Sequence, residues 1–203
     1  MRHINLFLKR VMDILGSLIG IIILSPLLII ISILIKIDSK GPILFKQERL
    51  GKHGKVFKIF KFRTMVVNAE NIGDGLTVKK DGDPRIIGIG KILRKYSLDE
   101  LPQLFNVFIG NMALVGPRPP VTYFPYKGYN KYPIWAKTRF AMKPGITGLT
   151  QTTVRNSVDW DERIRIDNVY VNKFNIFLDI KLIFKTLFKV IKPSSIYGES
   201  QRK

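Results

Sequence analysis

Two adjacent carboxylates, Asp99 and Glu100, stand at the head of an apolar segment and are preceded by the cations Arg94 and Lys95. An ionised carboxylate can attack phosphorus when a divalent cation and basic side chains neutralise the phosphate oxygens. Mg²⁺ is typically bound by one or two carboxylates together with substrate phosphates, so Glu100 can hold such an ion. These residues therefore favour group transfer from a phosphorylated substrate.

The same segment also has a purely structural interpretation. With Ser97 as the N-cap and Glu100 three positions later it matches a capping box, and the helix dipole favours acidic residues in a first turn. The apolar residues that follow have helical spacing, so we expect a helix over 97–112. Backbone N–H groups at such a helix start can also keep Asp99 ionised and receive a phosphate. Both interpretations stay open on these residues alone.

The composition of the 203 residues excludes several kinds of chemistry. There is no cysteine, which excludes disulfides, thiol nucleophiles and cysteine-ligated metal sites. The two histidines, His3 and His53, lack the neighbours that a Ser-His-Asp triad or a multi-imidazole metal site needs. No P-loop or dinucleotide-binding fingerprint occurs. Acid–base work therefore falls to carboxylates, lysine, tyrosine or arginine.

The net charge of +19, from 34 Lys and Arg against 15 Asp and Glu, indicates a polyanionic partner. Nucleic acid, acidic lipid headgroups and phosphorylated substrates all fit this charge. Two alternatives to an enzyme follow: a membrane-tethered nucleic-acid-binding protein and a lipid-binding scaffold. Alternating basic and aromatic residues over 55–63 favour the first. In the second, Asp99 and Glu100 are helix caps only.

An uncharged apolar run occupies 14–35 and is bounded by Lys9-Arg10 and Lys36. As one straight helix it rises roughly 33 Å, enough to cross a hydrocarbon layer of roughly 30 Å. Pro26 in its middle removes a helical hydrogen bond, so a kink or break is expected there, and the Ser25 hydroxyl can satisfy the freed carbonyl. Because both flanks are basic, the positive-inside bias gives no preferred exit. A kinked spanning helix and a re-entrant hairpin therefore stay equally compatible with these residues.

Further elements are expected around the candidate site. Two β-like runs on either side of 51–54 predict a small β-hairpin. From Asp179 to Lys192, lysines fall on one helical face and apolar residues on the opposite one, which is typical of a helix lying in a headgroup layer. A core-packed helix with a solvated basic stripe is the alternative. The expected fold class is α+β and mainly helical.

Taken in order along the chain, the motifs resemble those of the bacterial sugar transferases, specifically the small monotopic phosphoglycosyl transferases. The matching pieces are Lys9-Arg10-x-x-Asp13, Ser25-Pro26, FKFRTM at 60–65, SLDELPQ at 97–103, VGPRP at 115–119, KPGITG at 143–148 and Arg155-Asn156. The resemblance covers nearly the whole chain. One departure is Thr152-Thr-Val154, where many members have Asn-Gly before the Arg-Asn pair. This difference bears on the identity of the sugar rather than on the class of reaction.

The resemblance implies that Asp99 is the nucleophile and Glu100 the Mg²⁺ ligand of the family's Asp-Glu dyad. The substrate-binding positions that it implies are Arg94, Arg118, Arg155, Lys61, Arg63 and Asp167. The implied reaction transfers a sugar 1-phosphate from a UDP-sugar to polyprenyl (undecaprenyl) phosphate through a phospho-aspartyl intermediate and releases UMP. Membrane lipids are further expected partners, and nucleic acid is not.

For the apolar run, the resemblance implies a re-entrant helix-break-helix hairpin with its break at Ser25 and Pro26 and both ends in the cytoplasm. Residues 1–40 then form the hairpin, and residues 41–203 form a cytoplasmic catalytic domain lying on the membrane surface. The expected location is the cytoplasmic face of the bacterial inner membrane, with monotopic topology. The sequence specifies neither the sugar, nor the glycoconjugate pathway, nor the oligomeric state.

Overall fold

The computed structural model describes residues 2–72, 83–154 and 157–191, which form helices around two small sheets. The helices are α1 Arg2–Asp38, α2 Gly88–Lys95, α3 Gln103–Phe108, α4 Ile134–Lys137, α5 Leu149–Thr153, α6 Trp160–Lys173 and α7 Ile176–Ile191. The strands are β1 Leu44–Leu50, β2 Val56–Phe62, β3 Ala113–Val115 and β4 Gly145–Thr147. The expectation of a mainly helical α+β fold is confirmed.

The longest element, α1, runs through Ser25-Pro26 without interruption. The Ser25 hydroxyl donates to the carbonyl of Ile22 at 2.8 Å, which is the acceptor that Pro26 cannot reach. This bond fulfils the role expected of Ser25 and explains how helical structure continues past the proline. The expected break is therefore not an interruption of helical structure, and the re-entrant hairpin stays a prediction.

One stripe of α1 packs against the rest of the protein. Its buried residues form two groups, each with a spacing of four, and are Lys9, Asp13, Ser17, Ile31 and Ile35. At one end, Lys9 Nζ donates to Asp179 of α7 at 2.7 Å, and at the other end Asp38 accepts from the backbone N–H of Ile89 at 3.0 Å. Both ends of α1 are therefore held by the same domain.

The rest of α1 is exposed and apolar. Among the described residues it is the helix long and apolar enough to cross a membrane, and only 11% of its most apolar window is buried. Water disfavours so much uncovered apolar surface. This exposed apolar surface favours membrane association, as expected from the sequence.

The predicted β-hairpin is confirmed. Strands β1 and β2 pair antiparallel from Leu44 opposite Phe62 to Leu50 opposite Val56. The turn between them has positive φ at His53 and Gly54, in the left-handed region that glycine adopts at no steric cost. The hairpin places Lys61 near the end of β2, beside the candidate site.

The second sheet brings two motif segments together. Strands β3 and β4 are parallel, with Ala113 opposite Gly145. A Cβ added to Gly145 would lie 2.0 Å from the backbone nitrogen of Gly116, so this close approach requires glycine. The turns at 115–119 and 143–148, far apart in sequence, therefore pack side by side.

Helix α7 leaves a row of large apolar side chains exposed. They are Phe177, Ile180, Phe184, Leu187 and Phe188. Leu182 and Asp179 point the other way and are buried. The amphipathic helix predicted from Asp179 is confirmed, although it begins three residues earlier, and Lys192 lies outside the described residues. The exposed row favours the headgroup-layer interpretation over a core-packed helix, because no described element covers it.

Candidate active site

The carboxylate pair lies on a tight turn before a helix. Residues Leu98–Glu100 form a single 3₁₀ turn, and α3 begins only at Gln103. The predicted helix over 97–112 and the capping box are therefore wrong, since Ser97 makes no side-chain capping bond. Pro102, which has no N–H, is tolerated only at a helix start, and Gly110 with φ 94° ends the helix.

Ser97 has a strained backbone. Its φ of 56° and ψ of 24° place it in the left-handed region, which a residue with a Cβ rarely adopts. Such a conformation costs on the order of 1 kcal/mol or more, and these costs recur at functional sites. The chain turns sharply at this residue, immediately before both carboxylates enter a cleft.

The cleft has a volume of about 840 Å³. Among the residues that the sequence assigned to the site, those lining it are Lys61, Arg63, Arg94, Asp99, Glu100 and Arg118. They come from β2 and the residue after it, from the end of α2, from the turn before α3 and from the turn after β3. Arg155 lies outside the described residues, and its role stays a prediction. The structure thus brings together residues spread over nearly sixty positions of the chain.

Glu100 is clamped by cations. Lys61 Nζ lies 2.6 Å from Glu100 Oε1, and Arg118 Nη2 lies 3.8 Å from the same oxygen. Burial alone raises the pKa of Glu100, but the charges of Lys61 and Arg118 outweigh it and lower the pKa to about 2. The carboxylate is therefore a permanent anion near neutral pH.

Asp99 has the opposite environment. It forms no ion pair with the described residues, and its side chain is partly buried. Burial, together with the negative charge of Glu100, raises the pKa of Asp99 to about 6, against the opposing charges of Lys61 and Arg94. It is mostly ionised at neutral pH, yet its charge is poorly stabilised. An unclamped, more basic carboxylate is the better nucleophile of the two.

The donor set limits what metal the site can hold. The described residues contain no group of three or more His, Cys, Asp or Glu side chains with metal-binding geometry. Asp99 and Glu100 supply carboxylate oxygens, one of which already accepts from Lys61. Two carboxylates suit a hard cation such as Mg²⁺ when substrate phosphates complete its shell. The residues therefore fit Mg²⁺ bound jointly with a phosphorylated substrate.

Arg63 is engaged by the backbone. Its buried guanidinium donates to the carbonyls of Ser39, Lys40 and Pro42 at distances of 2.7, 2.9 and 2.6 Å. These bonds tie the end of α1 to β2. They leave Arg63 a structural role at the edge of the cleft, and direct substrate contact by Arg63 stays a prediction.

Asp167 lies behind the cleft, on α6. Its buried carboxylate accepts from Arg139 Nη2 at 2.6 Å and from the hydroxyl of Thr150. The same Arg139 nitrogen donates to the carbonyl of Arg118 at 2.6 Å. Asp167 therefore holds the turn that carries Arg118. Its direct contact with substrate, implied by the resemblance, stays a prediction.

The polar residues of the cleft that were missed from the sequence include Arg49, Gln151 and Arg163. Burial and the neighbouring Arg118 charge lower the pKa of Arg49 to about 10. The amide of Gln151 is enclosed, and neither its nitrogen nor its oxygen has a hydrogen-bond partner among the residues that the structure describes. Strand alternation offered a signal for Arg49, because its register places it on the same hairpin face as Lys61. We find no comparable signal for the other two.

The sequence is similar to that of known proteins along most of its length. A model of the family described as bacterial sugar transferase matches residues 4–193. The galactosyl transferase CpsE of Streptococcus agalactiae is 42% identical over 94% of this chain and 43% of its own length. The undecaprenyl-phosphate galactose phosphotransferase of Salmonella typhimurium is 40% identical over 94% of this chain and 42% of its own.

A shorter relative matches along most of its length. The exopolysaccharide production protein PSS of Rhizobium leguminosarum is 43% identical over 90% of this chain and 94% of its own. The chain thus spans less than half of the first two relatives but corresponds to almost all of the third. The family match extends from α1 to the end of α7, across both carboxylates and every motif described above. This chain belongs to the bacterial sugar transferase family.

Proposed function

We propose that the protein transfers a sugar 1-phosphate from a UDP-sugar to polyprenyl (undecaprenyl) phosphate, as the first membrane step of glycoconjugate assembly. The observation that carries the proposal is a pair of adjacent carboxylates in one basic cleft, where Lys61 lies 2.6 Å from Glu100 and Asp99 forms no ion pair with the described residues. The names of the Salmonella and Streptococcus relatives, a phosphotransferase acting on undecaprenyl phosphate and a galactosyl transferase, support the same class of reaction.

In the first half-reaction, a carboxylate oxygen of Asp99 attacks the sugar-linked phosphorus of the UDP-sugar. A bond forms between that oxygen and the phosphorus, and the bond to the bridging oxygen breaks, so that UMP leaves. The role falls to Asp99 because Glu100 is already held by Lys61. Arg94, whose charge acts on Asp99, and Arg118, which lies 3.8 Å from Glu100, offset the charge that builds on the phosphate oxygens.

In the second half-reaction, an oxygen of polyprenyl phosphate attacks the same phosphorus. The bond to Asp99 breaks, the carboxylate is restored, and the product is a polyprenyl diphosphate sugar. Neither step needs a further reactant. Covalent storage lets a water-soluble donor and a lipid-dissolved acceptor use one site in turn, which predicts ping-pong kinetics.

Glu100 is the proposed holder of Mg²⁺. When bound, the ion supplies positive charge to the diphosphate oxygens of the donor. The clamp of Lys61 keeps Glu100 ionised and therefore able to bind a cation at its second oxygen. Loss of activity on chelation is expected.

The membrane arrangement proposed here is a re-entrant α1 with both ends at the cytoplasmic face of the inner membrane. Lys9 and Asp38, near the two ends of α1, are both bonded to the same domain, which argues against ends on opposite sides of a bilayer. Residues 1–40 are then the membrane element, and residues 41–203 are the catalytic domain. The exposed row of α7 supports a domain lying flat on the lipid surface.

The test is release of UMP from a panel of UDP-sugars by the detergent-solubilised protein with undecaprenyl phosphate and Mg²⁺. We expect release with one or a few sugars, and none from an Asp99→Asn variant. Absence of UMP with every sugar, together with submicromolar and strongly salt-dependent RNA or DNA binding, would instead identify the nucleic-acid-binding alternative.

A further inference from the structure

The side-chain amide of Gln151 lies in the wall of the cleft without a bonding partner. Gln151 is the third residue of α5, and it lines the same cavity as Asp99 and Glu100. Both polar atoms of its amide are enclosed, and neither has a hydrogen bond to the described residues. An enclosed donor or acceptor without a partner costs about 1–3 kcal/mol. A ligand that bonds to this amide would remove that cost.

The hydroxyl groups near Gln151 are already bonded within the protein. They belong to four residues that line the cleft, Thr147, Thr150, Thr152 and Thr186. The hydroxyl of Thr150 donates to the carboxylate of Asp167, and that of Thr152 donates to the carbonyl of Gly148. The other two hydroxyls bond to each other at 2.6 Å. A ligand group with few polar atoms therefore suits this wall better than a sugar ring, which carries hydroxyls on every side.

Two arginines connect the carboxylate pair with α5. Arg118 Nη2 lies 3.8 Å from Glu100 Oε1. Burial and the nearby charge of Arg118 lower the pKa of Arg163, which lines the same cleft. The carbonyl of Arg163 accepts from the hydroxyl of Thr150, the residue before Gln151, at 3.3 Å. A diphosphate that starts at the carboxylates can therefore extend along both guanidinium groups toward α5.

The part of the donor that lies farthest from the attacked phosphorus is its base. In the proposed reaction the sugar is joined to the phosphorus that Asp99 attacks, whereas a second phosphate and a ribose separate that phosphorus from the uracil. Uracil presents an N3–H donor beside the acceptor O4, and a glutamine amide offers one acceptor and one donor group.

We propose that Gln151 binds the uracil of the UDP-sugar, with Oε1 accepting from N3–H and Nε2 donating to O4. Since no bond from the described residues holds the amide, rotation about its side-chain bonds can present it to the base. The inference rests on the proposed function, and it names the residue that selects the nucleotide of the donor.

The experiment combines a change in the protein with a change in the donor. Gln151→Met keeps the length of the side chain and removes both hydrogen-bonding groups, and its flexible thioether can move aside for a methyl group. A UDP-sugar methylated at uracil N3 lacks the N3–H donor. The value of kcat/KM for each donor is measured with the wild-type protein and with the variant. Asn172→Met, which changes an exposed amide of α6 outside the cleft, is the matched control.

In the wild-type protein, methylation of the donor is expected to lower kcat/KM about tenfold or more, because it leaves an enclosed amide unpaired. Gln151→Met should lower kcat/KM for the unmodified donor by a similar factor, and methylation should then lower it no more than about threefold further. KM for undecaprenyl phosphate should stay within about twofold, and Asn172→Met should keep wild-type values. Without donor, Gln151→Met should unfold at or above the wild-type temperature, because it removes an unpaired amide.

The assignment is wrong if the wild-type protein uses the methylated donor as efficiently as the unmodified one, a result that needs no variant. It is also wrong if methylation lowers kcat/KM equally in the wild-type protein and in Gln151→Met, since the base would then contact another residue. If Gln151→Met fails to fold, Gln151→Glu takes its place, because it keeps the shape of the side chain and loses the donor to O4.

Donors that lack single sugar hydroxyls distinguish the uracil from the sugar. A loss of kcat/KM on removal of one hydroxyl that disappears in the Gln151 variant would assign the amide to the sugar and overturn the proposal. A wild-type protein that releases no UMP from any unmodified UDP-sugar refutes the proposed function itself, which is a separate outcome.

Discussion

Replacing Asp99 by Asn is expected to stabilise the folded protein while abolishing its activity. Burial and the charge of Glu100 raise the pKa of Asp99 from 3.8 to about 6 in the native state. The folded protein therefore binds this proton more tightly than the unfolded chain does, and stability falls as the pH rises from about 4 to about 6. At neutral pH the ionised Asp99 costs the fold on the order of 3 kcal/mol, which a neutral Asn does not incur.

The adjacent Glu100 provides a matched control, because its replacement is expected to change stability in the opposite direction. Its pKa falls from 4.5 to about 2 because the charges of Lys61 and Arg118 outweigh the effect of burial. Its contribution to stability is fully present above its unfolded pKa and is lost as the pH falls toward about 2. At neutral pH, Glu100→Gln is therefore expected to destabilise the protein on the order of 3 kcal/mol.

The assay is thermal unfolding of the three proteins in the same detergent at pH 5 and pH 7.5. At the higher pH, Asp99→Asn should unfold roughly 6–12 °C above wild type, at about 2–4 °C per kcal/mol for a chain of this size. At pH 5 the difference in unfolding temperature should fall to about half, because Asp99 of the wild-type protein is then largely protonated in the folded state. The electrostatic account of the pair is refuted if Asp99→Asn unfolds at a lower temperature than wild type at pH 7.5. It is also refuted if the difference in unfolding temperature between the two proteins is the same at both pH values.

Three further changes test other parts of the structure. The value of kcat/KM for the UDP-sugar should rise with pH around a midpoint of about 6, the pKa of Asp99. Lys61→Met should move this midpoint to a higher pH, because the charge of Lys61 lowers the pKa of Asp99. Asp167→Asn should lower the free energy of unfolding by about 3–5 kcal/mol and reduce activity, since it leaves the buried guanidinium of Arg139 uncompensated. Lys9→Met should destabilise the protein by about 3 kcal/mol by leaving the carboxylates of α1 and α7 unpaired.

Control variants and specific contrary results test each of these three predictions. Glu162→Gln on α6 and Lys36→Met on α1 alter exposed residues and should leave the unfolding temperature near that of wild type. An unshifted midpoint in Lys61→Met would show that Lys61 does not act on the nucleophile. Wild-type stability in Asp167→Asn or Lys9→Met would show that the corresponding buried pair is not formed in solution.

Features that depend on neighbouring residues were predictable from the sequence. The hairpin around 51–54 follows from strand alternation and turn residues, and the Ser25 bond to Ile22 follows from the geometry of a helix that contains proline. The helix over 97–112 was predicted wrongly because apolar spacing was given more weight than Pro102 and Gly110, which confine α3 to six residues.

Features that depend on distant residues were not predictable from one sequence. The pair between Arg139 and Asp167 joins positions 28 apart, and no local pattern links them. The carboxylate pair was found from residue type and from the family resemblance. That Lys61 pairs with Glu100 and not with Asp99 depends on where the hairpin places Lys61, and only the fold determines this position.

The most direct test of the account is whether Asp99 takes up the phosphosugar. The protein is incubated with Mg²⁺ and a UDP-sugar that carries a radioactive phosphate next to the sugar, without acceptor, and is then denatured and separated from free nucleotide. We predict label on the wild-type protein, none on Asp99→Asn, and loss of the label when undecaprenyl phosphate is added before denaturation. Equal labelling of the Asp99→Asn variant, or release of UMP by a wild-type protein that never becomes labelled, would contradict the account.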